Sequence, residues 1–344
     1  LGAPIKNGIN AQAENDGGIA IGDSTNARGT NSIAIGTGAK AAGESTVGTN
    51  IPTSTVAIGQ GAQALENGDI VIGRSAKSIV STHHGNPGSG AVVMGADAAS
   101  YGARGDVAIG ASAETNVKIK NDGGTVNPKY AQGVAIGSTA KTYGTQSLAL
   151  GADTRAIGNS SVAIGGDDID QAKPDLYKAI PDLSVPGTQK NFNREVAALY
   201  PSGLGTAGLN DSKNYVNTAS IGNASLAIGM MTQSLGTGSN AIGANSLSKG
   251  VASSAIGAMA RSWGNNSLAI GSQAGAYGEK STSLGDANTV GFDMTNATLS
   301  GSAAGALGRG NKVYGNNAYA IGSENTVGTA TVPETTESNG GKIK

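Results

Sequence analysis

The 344-residue chain contains no cysteine. That excludes a disulfide framework and thiolate metal sites, but it leaves export open, since a fold with another source of stability needs no covalent staples. Histidine occurs only at His83 and His84. Adjacent side chains on an extended segment diverge, and no dense carboxylate cluster accompanies the pair, so it reads as a solvated loop and no metal is expected. A Ser-His-Asp or Cys-His catalyst is disfavoured for the same shortage. Charged residues are only 14% of the chain and the formal net charge is −1, which removes the electrostatic case for a nucleic-acid partner. No stretch approaches the roughly 18 apolar residues a spanning helix needs. Residues 1–4 carry neither a basic nor an apolar leader pattern, so export and anchoring segments are expected outside this sequence.

What the chain does have is glycine, 56 residues of it, and the glycines keep time. One block recurs as Ser32-Ile-Ala-Ile-Gly36, Ser147-Leu-Ala-Leu-Gly151, Ser161-Val-Ala-Ile-Gly165, Ser225-Leu-Ala-Ile-Gly229 and Ser267-Leu-Ala-Ile-Gly271. Variants of it run from Gly22 to Gly322, most often 14 residues apart, and a second glycine follows seven residues later, as at Gly29, Gly144, Gly236 and Gly278. Each half-period is too short for a helix. Its residues alternate aliphatic, small, aliphatic before the first glycine, then small, polar, small after it, as in Ala39, Lys40 and Ala41. Alternation over about five residues broken by glycine predicts a strand and a tight turn, with two strands per turn of a narrow solenoid. Glycine suits corners that need positive φ or close backbone approach.

Parity places Leu268 and Ile270 on one face of their strand and Ala269 on the other. The arrangement expected first has the aliphatic pair filling the roll, with the alanine at an interchain contact. The reverse, alanines inside and aliphatics at the interface, satisfies the same alternation. Both faces ask for burial, which implies oligomerisation, because so thin a roll encloses few apolar residues by itself.

The Ser-Leu-Ala-Ile-Gly block with its 14-residue period resembles the head of YadA-like trimeric autotransporter adhesins, over roughly residues 18–165 and 218–328. The resemblance implies an all-β, left-handed parallel β-roll, homotrimeric, with no cofactor and no catalytic activity. It implies a head displayed at the bacterial cell surface and carried by an outer-membrane anchor that this sequence lacks. It also implies binding to host extracellular-matrix proteins such as collagen, fibronectin or laminin, or to host cell-surface glycoprotein receptors. A polysaccharide-active solenoid enzyme needs clustered acid and base residues, and an ice-binding solenoid needs a Thr-x-Thr array. Neither pattern occurs.

The expected organisation is repeats over 1–165, an inserted segment at 166–217, repeats over 218–328, and a polar segment at 329–344 leading toward a stalk. Smaller insertions lie near 74–90 and 111–132. The large insertion changes composition, and residues 188–200 predict an amphipathic helix with Phe192, Val196, Leu199 and Tyr200 on one stripe, ended by Pro201. Asp167, Asp168 and Asp170 read as a solvated turn. A regular roll repeats its surface, so a receptor site is sought where something occurs once. The candidates are Tyr177, Phe192, Leu199, Tyr200 and Tyr215 in the insertion. An outward-facing row supplies the others, Trp263 and Tyr277, one turn apart among Tyr101, Tyr143, Tyr314 and the basic residues Lys40, Lys141, Arg155, Arg261 and Lys312.

Overall fold

The computed structural model describes residues 3–42, 53–78, 90–101, 105–117, 132–166, 209–210, 215–293, 298–299 and 301–328. All regular structure among them is β-strand. The chain alternates between a long strand and a short one, and each pairs in parallel with its equivalent one turn on. Ile19–Ile21 lies on Ile33–Ile35 with Ala20 opposite Ala34, and Asn26–Ala27 lies on Lys40–Ala41 with Ala27 opposite Ala41. Fourteen residues thus make one turn of a two-sheet solenoid. The chain divides into two compact units, Leu1–Ser160 and Ser161–Lys344. In the first, long strands run from Ile5–Asn7 to Leu148–Leu150. In the second they run from Val162–Gly166 to Tyr319–Ser323. The helix expected at 188–200 lies outside the described residues.

Four small side chains per turn fill the interior. In one turn these are Ala20, Thr25, Ala27 and Ser32, all buried. The aliphatic pair therefore does not fill the roll, and the first expectation about the faces is corrected. Ala255 and Ala269 are 0% exposed, whereas Ile270 is 39% exposed and looks outward. The reason is space. Two sheets joined by corners this short leave room between them for a methyl or a hydroxyl from each side, and an isoleucine would force them apart.

The same thinness sets the glycines. Gly22, Gly36 and Gly151 have φ near +120°, in the region that L side chains avoid. A Cβ on Gly36 would also sit 2.7 Å from the carbonyl carbon and oxygen of Gly59, one turn on. The half-period column is different. Gly236, Gly250 and Gly264 do not take positive φ, yet a Cβ on any of them would overlap the next turn's glycine carbonyl. That second column is glycine for proximity alone. Conversely, the residue two places after a glycine takes positive φ whatever it is: Ser24, Thr139, Asn245, Met259 and Gln273 all lie between +53° and +58°. The turn-to-turn hydrogen bonds hold those residues there, as in Gln273 N to Ala258 O at 2.9 Å.

A roll this narrow must also satisfy polar atoms inside it. In the second unit Ser220 meets Ser225 at 2.6 Å, Ser234 meets Ser239 at 2.7 Å, Ser248 meets Ser253 at 2.7 Å and Ser262 meets Ser267 at 2.6 Å, oxygen to oxygen. The second serine of each pair also donates to the glycine carbonyl three residues before it, as from Ser253 to Gly250 at 2.6 Å. Further along, Asn311 Nδ2 donates to Asn288 Oδ1 at 3.0 Å, and Asn325 Nδ2 to Asn311 Oδ1 at 3.0 Å, an amide ladder through three turns. Such bonds contribute about 1 kcal/mol each, and an unmade one costs more.

Replacing Gly271 by valine is expected to destabilise the second unit by more than about 3 kcal/mol, because a β-branched residue resists positive φ and its Cβ would overlap the Gly285 carbonyl. Lys40→Ala, at an exposed outward position, should stay within about 0.5 kcal/mol. Thermal unfolding followed by circular dichroism distinguishes the two.

Candidate binding surface

The two sheets present different outward faces. On the long-strand sheet the two residues flanking each inward alanine point out and stack in columns. In the first unit every residue of these columns from Ile19 to Leu148, and from Ile21 to Leu150, is Ile, Val, Leu or Met. They are half-buried against one another and remain partly open: Ile21 and Leu150 are each 38% exposed. This is an apolar face with nothing from the described residues covering it.

The short-strand sheet carries polar, basic and aromatic residues on its outward side in the first unit and again from Arg261 onward, whereas Ala219, Gln233 and Leu247 in the same column are wholly buried. Its ion pairs run from turn to turn: Arg28 to Glu14 at 3.1 Å, and Lys141 to Glu114 at 2.7 Å. Both are partly solvated and contribute little individually. Tyr101 is half-buried here beside the Lys77 ammonium, 5.9 Å from its ring centre. Burial first, and then the Glu114 carboxylate, push the Tyr101 hydroxyl pKa above its ordinary value.

Of the residues expected to bind, Trp263 and Tyr277 do come together. Their ring centres are 5.6 Å apart in an edge-to-face arrangement at 65°, and Lys249 Nζ lies 4.6 Å over the Trp263 ring. A Cβ at Gly275 would lie 2.5 Å from Tyr277 Cε2, so the missing side chain is the seat of the tyrosine ring. The row is thus packed on itself, a cross-strand stack that stiffens three successive turns. Tyr215 belongs to the short strand Tyr215–Val216, antiparallel to Leu209–Asn210, with Asn210 opposite Tyr215. Tyr177, Phe192, Leu199 and Tyr200 lie outside the described residues, as do His83 and His84. Among the described residues no group of three or more His, Asp or Glu side chains is placed to hold a metal.

Two residues escaped the sequence reading. Asp69 and Asp106 stand where other turns have the serine of the block, and both are wholly buried. Asp106 Oδ2 accepts from Ser100 Oγ at 2.9 Å, Thr115 Oγ1 at 3.0 Å and Asn116 Nδ2 at 2.7 Å. Its Oδ1 accepts from the backbone of Gln132 at 3.0 Å and Gly133 at 2.9 Å. Asp69 accepts from Ser78 Oγ, from Glu66 N at 3.0 Å and from Ala91 N at 3.0 Å. In both cases the described chain breaks off after the second strand of the turn that the aspartate opens, at Ser78 or Val117, and resumes at Gly90 or Gln132. The carboxylate holds the backbone where the roll resumes. The signal was present as Asp in place of Ser before Ile-Val-Ile-Gly73 and Val-Ala-Ile-Gly110.

The family described as YadA head domain repeat (2 copies) matches residues 7–25, 27–47, 53–76, 131–154, 143–167, 248–274 and 264–288. The matches fall in both units and carry the 14-residue turn seen in the structure. The chain carries YadA head repeats in both of its units. No curated protein matches the chain. Two matched segments of this YadA-like head, 131–154 and 53–76, begin at or next to described residues that flank interruptions. In those two places the matched pattern and the roll resume together.

Asp106→Ala is expected to cost about 3 kcal/mol, because it leaves several buried donors unpaired, while Ser253→Ala, which removes a single hydroxyl, costs about 1 kcal/mol. Denaturant unfolding of the two variants checks the order.

Proposed function

We propose that this YadA-like head is the receptor-binding part of a trimeric autotransporter adhesin, and that it works by presenting surface rather than by catalysis. The family is one of adhesins, and a family of such heads suggests three-chain assembly. The observation that carries the assembly is the uncovered face of the long-strand sheet. Two columns of outward side chains, aliphatic at every turn from Ile19 to Leu150 and mostly so in the second unit, are partly exposed in the isolated chain, a contiguous apolar surface of the kind that marks an interaction site. A second and third copy offer the same columns at the same spacing. Assembly would bury them, with the roll wound left-handed and the short-strand sheet turned to the outside.

The reading places the head at the bacterial surface, held by an outer-membrane anchor. Its partners are host extracellular-matrix proteins such as collagen, fibronectin or laminin, or host cell-surface glycoproteins. The contact is assigned to the insertion at 166–217, with Tyr177, Phe192, Leu199, Tyr200 and Tyr215 as its aromatic and aliphatic set. Three copies per head make even a weak contact effective through multivalency. Trp263 and Tyr277 are the second choice, because their rings are already engaged with each other and with Lys249.

Light scattering at micromolar concentration is expected to give a trimer. Ile242→Glu with Ile256→Glu, which puts two charges per chain into the aliphatic face, should abolish it. A folded monomer from the parent chain would overturn the assembly. Deletion of residues 167–216 with a short rejoining linker should keep the trimer and remove most binding to immobilised matrix proteins and host cells. Undiminished binding by a folded deletion variant would move the site to the roll itself.

A further inference from the structure

Assembly through a repeating face raises a problem of register. In the first unit both outward columns of the long-strand sheet are aliphatic at every turn from Ile19 and Ile21 onward. Against a copy of itself such a face is nearly degenerate. Sliding one chain by one turn, about 4.8 Å, sets each aliphatic residue against an equivalent one and loses contact only at the end.

The second unit is built otherwise. The column next to the glycines stays aliphatic throughout, as Ile228, Ile242, Ile256, Ile270, Leu284 and Leu307. The other column reads Leu226, Asn240, Ser254, Leu268, Thr282 in consecutive turns. Three polar residues thus interrupt an otherwise apolar face. Asn240 Nδ2 reaches Ser254 Oγ at 3.3 Å, so within the chain the two are joined by one long bond, and all three side chains are half-exposed. The roll itself does not need them, because leucine occupies the same outward position at residues 226 and 268.

We propose that Asn240, Ser254 and Thr282 set the register in which copies of this chain pack, a reading that rests on assembly through the long-strand face. In register each polar residue meets its own equivalents, and amide or hydroxyl groups both donate and accept among themselves. After a slip of one turn in either direction the neighbours become Leu226 with Asn240, Asn240 with Ser254, Ser254 with Leu268, and Leu268 with Thr282. Three of those four pairings set a polar group against an aliphatic one. A polar residue in an apolar seam gives up attraction and gains selectivity, as a buried asparagine does in coiled coils. The aliphatic column beside it supplies the attraction that the polar column forgoes.

The absence of cysteine makes the test direct, since any introduced thiol is the only one in its chain. Chains carrying Ile256→Cys and chains carrying Ile270→Cys are co-assembled, oxidised, and the links between unlike positions quantified by mass spectrometry. The same is done in a background of Asn240→Leu, Ser254→Leu and Thr282→Leu, and with Asn240→Leu alone. The triple variant is expected to remain trimeric and folded, with the fraction of 256-to-270 links raised at least about fivefold over the parent, and the single variant in between. An equal fraction in trimeric parent and trimeric triple variant overturns the register proposal and leaves the assembly reading standing. A monomeric parent by light scattering overturns the assembly reading, and the proposal with it.

Discussion

The width of the roll governs nearly everything else in this protein. Two sheets closed by corners of four or five residues are so near each other that the interior is mostly alanine, serine and threonine; valine enters at Val71, Val93, Val290 and Val313, asparagine at Asn288 and Asn311, and aspartate at Asp69 and Asp106. An interior of methyl groups buries little apolar area per residue, so hydrophobic burial inside one chain is a modest term. Stability has to come from elsewhere. Backbone hydrogen bonds from each turn to the next are one source. Close contact along the glycine columns is another, and the outward aliphatic face is a third that one chain alone leaves unused.

Polar atoms inside the roll follow from the same dimension. Side chains small enough to fit are as often hydroxylated as not, and a hydroxyl in that space has to find a partner. The serine pairs at 220/225, 234/239, 248/253 and 262/267 solve this within each turn, whereas Asn288, Asn311 and Asn325 solve it between turns. Asp69 and Asp106 extend the logic to places where the repeat is broken, trading one hydroxyl for a carboxylate that gathers several donors. At these positions the following turn has Ala91 or Gly133 in the equivalent place, which leaves room for the larger group.

Much of this is written legibly in the sequence, and the part that is not has physical reasons. Period, strand alternation and the positive φ of Gly36 or Gly151 follow from residue types and spacing. Alternation, however, fixes parity without sign: Leu268 and Ile270 share a face, but only the distance between the sheets decides that the face is outside. Positive φ at Met259, Gln273 and Thr139 is invisible to propensity, because the turn-to-turn hydrogen bonds impose it against the preference of the side chain. Parity sets Trp263 and Tyr277 opposite the inward Ser262 and Ala276, yet Gly275 as the seat of the tyrosine ring cannot be read from a glycine among 56. The insertion residues Tyr177, Phe192, Leu199 and Tyr200 stand apart from the repeat, so no periodic argument reaches them.

Among the described residues, every ladder of backbone, glycine or asparagine connects a turn only with the one before and the one after. Energetically that makes each unit close to a one-dimensional chain of neighbours. Nothing in a given turn depends on how many others there are. Fourteen residues are thus a quantum that can be gained or lost by duplication or deletion while the remaining turns keep their geometry. A protein assembled this way can change its length in discrete steps without redesigning its fold.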